Sequence, residues 1–324
     1  MISIVLAWGF CHACKREGGV QPELCERLTC LLDDRVRFSL PLARHTSFRI
    51  GGPADAFAEP DTLEELQTLL VLLHAASVPV FLLGGGTNIL VSDKGVRGVV
   101  VKLGEGFTYV RWQEAAEDAT VHVGAANSLG RFVREAVRKG YRGIEFAEGI
   151  PGTVGGGLLM NAGAFGGELS AVVMAITGVH CDGRRERLAG ETLGFAYRRT
   201  ALPAQFVVAE VEFHLLRGQA DAIAAVMSKA QQKRQKTQPH GYPNAGSIFK
   251  NPPGTYAGRL IESAGLKGHS HGRAQISEQH ANFIVNTGGA TAADVRVLME
   301  QIQRTVWEKN NIWLEPEVRL VGEW

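Results

Sequence analysis

The segment Pro243-Asn244-Ala245-Gly246-Ser247-Ile248-Phe249-Lys250-Asn251-Pro252 holds one hydroxyl between small residues and follows it with a cation and a carboxamide. A loop of this kind aims a proton donor. A serine hydroxyl is a weak acid, so it can serve only where a bound substrate develops a strong, short-lived base. The rest of the chain must then supply an electron source and a site for a carbanion. The plain structural alternative is a glycine-serine turn beside a solvated lysine.

Two glycine clusters, Gly84-Gly85-Gly86-Thr87-Asn88 and Gly149 to Gly167, stand about 65 residues apart, each beside the end of a strand or helix pattern. Successive backbone N–H groups in such turns make concave anion sites, for which a diphosphate is the natural guest. Neither cluster has the Gly-Lys-Ser/Thr of a P-loop or the Gly-x-Gly-x-x-Gly of a dinucleotide fold. Thr87, Asn88, Pro151, Thr153, Asn161 and Ala162 surround them and can hold a polar ligand without bulk.

The chain has 324 residues, 45% of them hydrophobic, enough for a large core and two domains. Its 34 Lys and Arg oppose 33 Asp and Glu, a net charge of +1, so no global field recruits nucleic acid or an anionic membrane. The apolar opening Ile2 to Phe10 is too short to span a bilayer, and a cytoplasmic location is expected. Cys11, Cys14, Cys25 and Cys30 crowd the N-terminus without a completed metal-ligand spacing, so no metal is expected.

The elements that must position these loops are legible as patterns. Asp61 caps an expected helix with Leu63, Leu66, Leu69, Leu70 and Leu73 on one stripe. Pro79–Leu83 and Val99–Leu103 read as buried strands, Asn127–Lys139 as a helix stopped by Gly140, and Phe206–Leu216 as a half-exposed strand. From Gln219 a polar helix leads to Lys233, Arg234 and Lys236, read as a solvated basic end. Thr291 and Asp294 form a capping box for a helix with Val295, Leu298, Met299, Ile302 and Val306 on one face, and Trp313–Val321 reads as a final strand. Alternating strands and helices in both halves indicate an α+β architecture with two lobes.

Several runs resemble one known family: Arg44 to Ala54, Gly84 to Leu90, Gly149 to Gly156, Asn161 to Gly166, Pro243 to Pro252 and Leu314 to Arg319. In this order they resemble UDP-N-acetylenolpyruvoylglucosamine reductases, over nearly the whole chain. The resemblance implies a two-lobed FAD-binding domain of the vanillyl-alcohol-oxidase (PCMH) type followed by a smaller α+β substrate-binding domain. The expected organisation is a dispensable Cys-rich extension at 1–40, the FAD domain at 41–217 and the substrate domain at 218–324. FAD is expected to be non-covalent, with His45 structural. NADPH is the expected co-substrate, and the chain resembles the shorter class, which lacks a tyrosine-bearing lid loop. A monomer or weak oligomer is expected.

The resemblance also implies site residues. The reaction would reduce the enolpyruvyl ether of UDP-N-acetylglucosamine to UDP-N-acetylmuramate for peptidoglycan synthesis. Arg198, Ser247 and Glu317 match the catalytic positions, with Ser247 as proton donor to an enolate that Arg198 and Glu317 stabilise. The flavin would be held by Gly84, Gly85, Gly86, Thr87, Asn88, Ile89, Gly149, Ile150, Gly152, Thr153, Gly155, Gly156, Asn161 and Ala162. Tyr197, Lys250, Asn251 and His280 would hold substrate.

Overall fold

The computed structural model describes residues 20–324; Cys11 and Cys14 lie outside the described residues. Leu24, Leu28 and Leu32 recur every fourth position, so helix α1 (Pro22–Leu32) presents one apolar face, and all three are buried. They share a core with Val36 and with Leu66, Leu69, Leu70 and Leu73 of α2 (Leu63–Ala75). This corrects the expected extension. From Pro22 onward the segment is part of the first lobe, and strand Val36–Pro41 pairs antiparallel with Pro53–Ala58.

That lobe is a four-stranded sheet ordered Val36–Pro41, Pro53–Ala58, Val96–Val101, Val80–Leu82, the last two pairings parallel. The cap of α2 is Thr62 rather than Asp61. Thr62 Oγ1 accepts from the Glu65 N–H, while the Glu65 carboxylate accepts from the Asp61 and Thr62 amides and from Arg35 at 2.6 and 2.7 Å. Two-way capping outweighs a single upstream carboxylate.

The second lobe is antiparallel, ordered Arg185–Ala189, Val173–His180, Phe206–Arg217, Asp118–Gly124, Val110–Glu114. Helix α3 (Leu129–Arg138) buries Leu129, Phe132, Val133 and Ala136 in its core and starts after the Ser128 cap, two residues later than the expected Asn127. The short α4 (Val154–Leu159) begins at the Thr153 cap within the second glycine cluster. Helix α5 (Ala220–Thr237) buries only Ile223 and Ala230, and it packs on α3 and the Glu145–Ala147 turn. The expected boundary at 218 therefore falls too early, since α5 rests on the second lobe.

The C-terminal unit packs α6 (Ala257–Ser263) and α7 (Ala292–Asn310) with a small antiparallel sheet of Ser270–His271, Ala274–Ile276 and Ile284–Asn286. The capping box of Thr291 and Asp294 is present. Phe48, Ile50 and Leu90 of the first lobe join this unit's core, and Asp93 accepts from the Ala292 and Ala293 amides at 2.8 and 3.0 Å. The expected closing strand is regular only over Arg319–Val321, which pairs parallel with Ile89–Val91. Pro316 has no N–H to extend a ladder, and its neighbours pair instead with the serine loop. Among the described residues, no helix is long and apolar enough to cross a membrane and no cluster of His, Cys, Asp or Glu could hold a metal ion.

Candidate active site

The segment after Ser247 runs antiparallel to the segment carrying Glu317. The Glu317 amide donates to the Ile248 carbonyl at 2.8 Å and the Lys250 amide to the Glu315 carbonyl at 2.9 Å, around a Phe249–Pro316 bridge. Asn282, 3% exposed, fixes this hairpin-like pair from below. Its Oδ1 accepts from the Phe249 N–H at 3.0 Å, its Nδ2 donates to the Phe249 carbonyl at 2.8 Å, and its own carbonyl accepts from Ile248. Nothing in the local pattern around Asn282 advertised this role, because its partners lie 33 positions upstream.

Arg198 arrives on a tight turn in which Ala196 and Arg199 exchange both backbone hydrogen bonds. The residue adopts φ +57, a left-handed conformation uncommon for a side chain of this size and typical of functional turns. The turn is moored to the second glycine cluster: Asn161 Nδ2 donates to the Ala196 carbonyl at 3.2 Å, and Thr200 Oγ1 donates to the Leu158 carbonyl. Arg198 Nε then donates to Glu317 Oε1 at 2.8 Å, both side chains largely removed from solvent. Burial raises the Glu317 pKa despite the opposing pull of Arg198, so desolvation outweighs the pairing. Tyr197 is exposed, its ring 5.0 Å beneath the Arg198 guanidinium.

The glycine clusters meet face to face. A Cβ on Gly85 would lie 2.6 Å from the Gly152 Cα, and one on Gly84 2.9 Å from Thr153 Oγ1, so neither position has room for a side chain. Among the described residues, the amides of Gly84, Gly85, Gly86, Thr87, Gly152 and Thr153 donate to no protein acceptor. This backbone rim fits a diphosphate.

The expected side-chain ligands are mostly engaged elsewhere. Thr87 Oγ1 reaches the Pro151 carbonyl, Thr153 caps α4, and Asn161 accepts from the Ser170 amide besides holding the Arg198 turn. Asn88 Nδ2 donates to the Glu317 carbonyl at 3.1 Å, so it ties the first glycine loop to the catalytic candidate. Ile89 enters the first lobe's core, Ala162 that of the second, and Ile150 packs at the latter's edge. Gly155 and Gly156 lie in α4, where the Gly155 amide donates to Ala125. The rim between the clusters is thus made of backbone more than of the side chains that the sequence singled out.

Ser247 opens onto a cavity of about 310 Å³ lined also by Asn251, Tyr256, Arg259, Gln279 and His280. Asn251 Oδ1 accepts from the Ala257 amide at the start of α6, which leaves its NH₂ free to face a ligand. His280 Nδ1 accepts from the Asn282 amide, so the proton sits on Nε2, and burial depresses its pKa. Lys250 is drawn to Glu315, an exposed carboxylate, rather than standing free. His45 packs its ring 4.6 Å from Phe57. A larger open groove, about 870 Å³, runs between α1 and α2 and includes none of these residues.

One further polar group links the loops. Ser47 Oγ donates to the Asn244 carbonyl at 2.7 Å and lies 3.3 Å from the Gly86 carbonyl, so one hydroxyl bridges the serine loop and the first glycine loop.

Comparison with known proteins agrees with this geometry. Residues 238–321 match the model of the UDP-N-acetylenolpyruvoylglucosamine reductase C-terminal domain, and residues 54–189 match that of an FAD binding domain. UDP-N-acetylenolpyruvoylglucosamine reductase 2 of Symbiobacterium thermophilum is 49% identical over 302 residues, 92% of this chain and 97% of its own. The corresponding reductase of Caldanaerobacter subterraneus subsp. tengcongensis is 43% identical over 90% of this chain and 96% of its own. The crystal structure of the Thermus caldophilus reductase superposes with a TM-score of 0.78 at 37% identity, covering 89% of this chain and all (100%) of that one. The fold is also that of p-cresol methylhydroxylase, at a TM-score of 0.51 and 11% identity over 91% of this chain and 89% of that one. A flavin fold of this type, joined to a C-terminal unit that sets Glu317 against Arg198 and bonds the Glu317 backbone to the residue after Ser247, places the chain in the UDP-N-acetylenolpyruvoylglucosamine reductase family.

Proposed function

We propose that Arg198, Glu317 and Ser247 handle the charge and the proton in the family's reduction of UDP-N-acetylglucosamine enolpyruvate to UDP-N-acetylmuramate, a step of peptidoglycan precursor synthesis. The observation that carries this reading is convergence. Arg198 and Glu317, 119 positions apart in the chain, meet at 2.8 Å, and the Glu317 backbone is bonded to the residue after Ser247.

FAD would be held at its diphosphate by the facing amides of Gly84 to Thr87 and Gly152 to Thr153, and once reduced by NADPH it would supply hydride for the substrate's terminal alkene carbon. Negative charge then grows on the carbon beside the substrate carboxylate, where it is stable only as an enolate met by cations and donors. Arg198 offers the remaining arms of its planar fork to that carboxylate. Glu317 uses one oxygen to fix the guanidinium, and burial disfavours its charged form, which suits it to help polarise or protonate the intermediate. Ser247 delivers a proton to the carbanion, whose basicity removes the need for a stronger acid.

The polar donors of Asn251 and His280 face the cavity at Ser247 and hold the rest of the nucleotide sugar, while the exposed ring of Tyr197 contributes from beside Arg198. Lys250 joins them by exchanging Glu315 for a substrate oxygen. The chain between Phe206 and Ser247 is taken up by a strand of 12 residues and by α5, which supports the shorter class without a tyrosine lid. The substrate and NADPH are cytoplasmic metabolites, which supports a cytoplasmic location.

The test is anaerobic. The FAD-loaded protein is reduced with NADPH, the enolpyruvyl nucleotide is added, and the return of oxidised-flavin absorbance is followed. Ser247→Ala should reduce normally and reoxidise roughly 10²- to 10⁴-fold more slowly. Reoxidation at the parental rate with full product would remove Ser247 from the reaction, and protein left colourless by FAD would remove the flavin reading altogether.

A further inference from the structure

The basic end of α5, read from sequence as solvated, contains one residue that is half-buried, with its Nε cut off from water. Arg234 leaves the last turn of α5 and lays its stem across Gly149 in the second glycine cluster. A Cβ at Gly149 would stand 2.8 Å from Arg234 Cδ and 3.3 Å from its Nε, and Gly149 has φ +73, so glycine here both makes the turn and clears the arginine's path. The guanidinium carbon lies 5.5 Å from the centroid of Phe165, itself held at φ +54 by the neighbouring glycine-rich turn. Arg234 Nε is buried without an acceptor, and among the described residues Arg234 enters no ion pair within 4.0 Å.

Its electrostatic surroundings are unbalanced. Burial depresses the Arg234 pKa, the Glu148 carboxylate opposes that, and the charge of Arg198 adds to it, so the two arginines share one field. Glu148 is itself nearly buried, with Oε2 unpartnered and Oε1 3.7 Å from Arg134. Arg198 already has Glu317. A half-buried guanidinium whose Nε is buried without an acceptor, beside a second arginine, is costly in the resting protein, and an incoming anion offsets that cost.

We infer that Arg234 is a second cationic arm of the active site, which receives a delocalised oxyanion between the second glycine cluster and Arg198. Two groups in the reaction have that chemistry: the carboxylate of the substrate and the anionic pyrimidine edge of the reduced flavin. The inference rests on Arg198 facing the reaction, as proposed above. It goes further in assigning an anion-binding residue outside the three catalytic candidates.

The experiment compares FAD-loaded parent, Arg234→Met and Arg234→Lys by flavin midpoint potential and by substrate affinity, read from the perturbation of oxidised-flavin absorbance. Losing a charged hydrogen-bond donor should weaken its ligand by roughly 10- to 100-fold in the Met variant, with partial recovery in the Lys variant. A loss of substrate affinity at unchanged potential assigns the carboxylate. A fall in the two-electron potential of about 30 mV per tenfold, with substrate affinity retained, assigns the flavin. Either supports the inference. Unchanged affinity and potential in Arg234→Met overturn it, and so does a loss of folding stability with both quantities intact in the FAD-bound fraction. If the parent's own flavin spectrum does not respond to the nucleotide, it is the proposed function that fails rather than the assignment of Arg234.

Discussion

Asn282→Ala tests whether the proton donor is held by a buried carboxamide. The side chain makes two hydrogen bonds to Phe249, at 3.0 and 2.8 Å, and Phe249 is fully buried. Two neutral hydrogen bonds are worth about 2 kcal/mol net. The truncation also strands the Phe249 N–H and carbonyl away from water, which brings the expected loss to about 3–5 kcal/mol. The effect should reach the chemistry, because Ile248, next to Ser247, carries the hydrogen bond from the Glu317 amide. Urea unfolding followed by circular dichroism measures the first consequence, and anaerobic flavin reoxidation by substrate measures the second. The variant should accept electrons from NADPH at close to the parental rate and reoxidise at least tenfold more slowly. A stability loss under about 1 kcal/mol together with unchanged reoxidation would refute the assignment.

Two further outcomes follow from the same physics. Hydrogen bonding by Arg35 holds the Glu65 carboxyl down at about 2, against an ordinary value of 4.5. A depressed carboxyl contributes stability above its unfolded pKa and loses it as pH falls toward the folded value. The parent should therefore exceed Glu65→Gln by about 1–2 kcal/mol at neutral pH, the exposed part of the pair being screened, and the gap should close between about pH 4.5 and 2 in acid titrations of stability. Ser47→Ala removes the hydroxyl that joins the serine loop to the first glycine loop, and should slow reoxidation by roughly tenfold while FAD content and reduction by NADPH hold. Ser47→Thr should restore the rate, and equal slowing of both half-reactions would count against a positioning role.

How far the sequence reached depends on distance along the chain. Apolar periodicity and caps are local, so α2, α3 and α7 were legible, with an error of one residue at the cap of α2 and of two at the start of α3. The glycine clusters were legible because a tight, side-chain-free turn leaves few other residues possible. The family's motifs named Arg198, Ser247 and Glu317 without any account of how they meet. Hydrogen bonds spanning much greater separations provide that account: Asn88 to Glu317, Ser47 to Asn244, Phe249 to Asn282 and Asp93 to the start of α7. Such partners leave no periodic trace.

Arg234 shows the division most clearly. As a sequence it is one of several cations at the end of a polar helix, where solvation is the default for any long charged side chain. What takes its Nε out of water is the docking of α5 on the second lobe, which sets its stem against Gly149 and its head beside Phe165. By itself the sequence determined the local elements, the turns and the residue types that chemistry requires. The tertiary structure decided which of the described residues are buried, which are paired and that Arg234 is left without an ion pair, because burial and pairing depend on neighbours that only folding brings together.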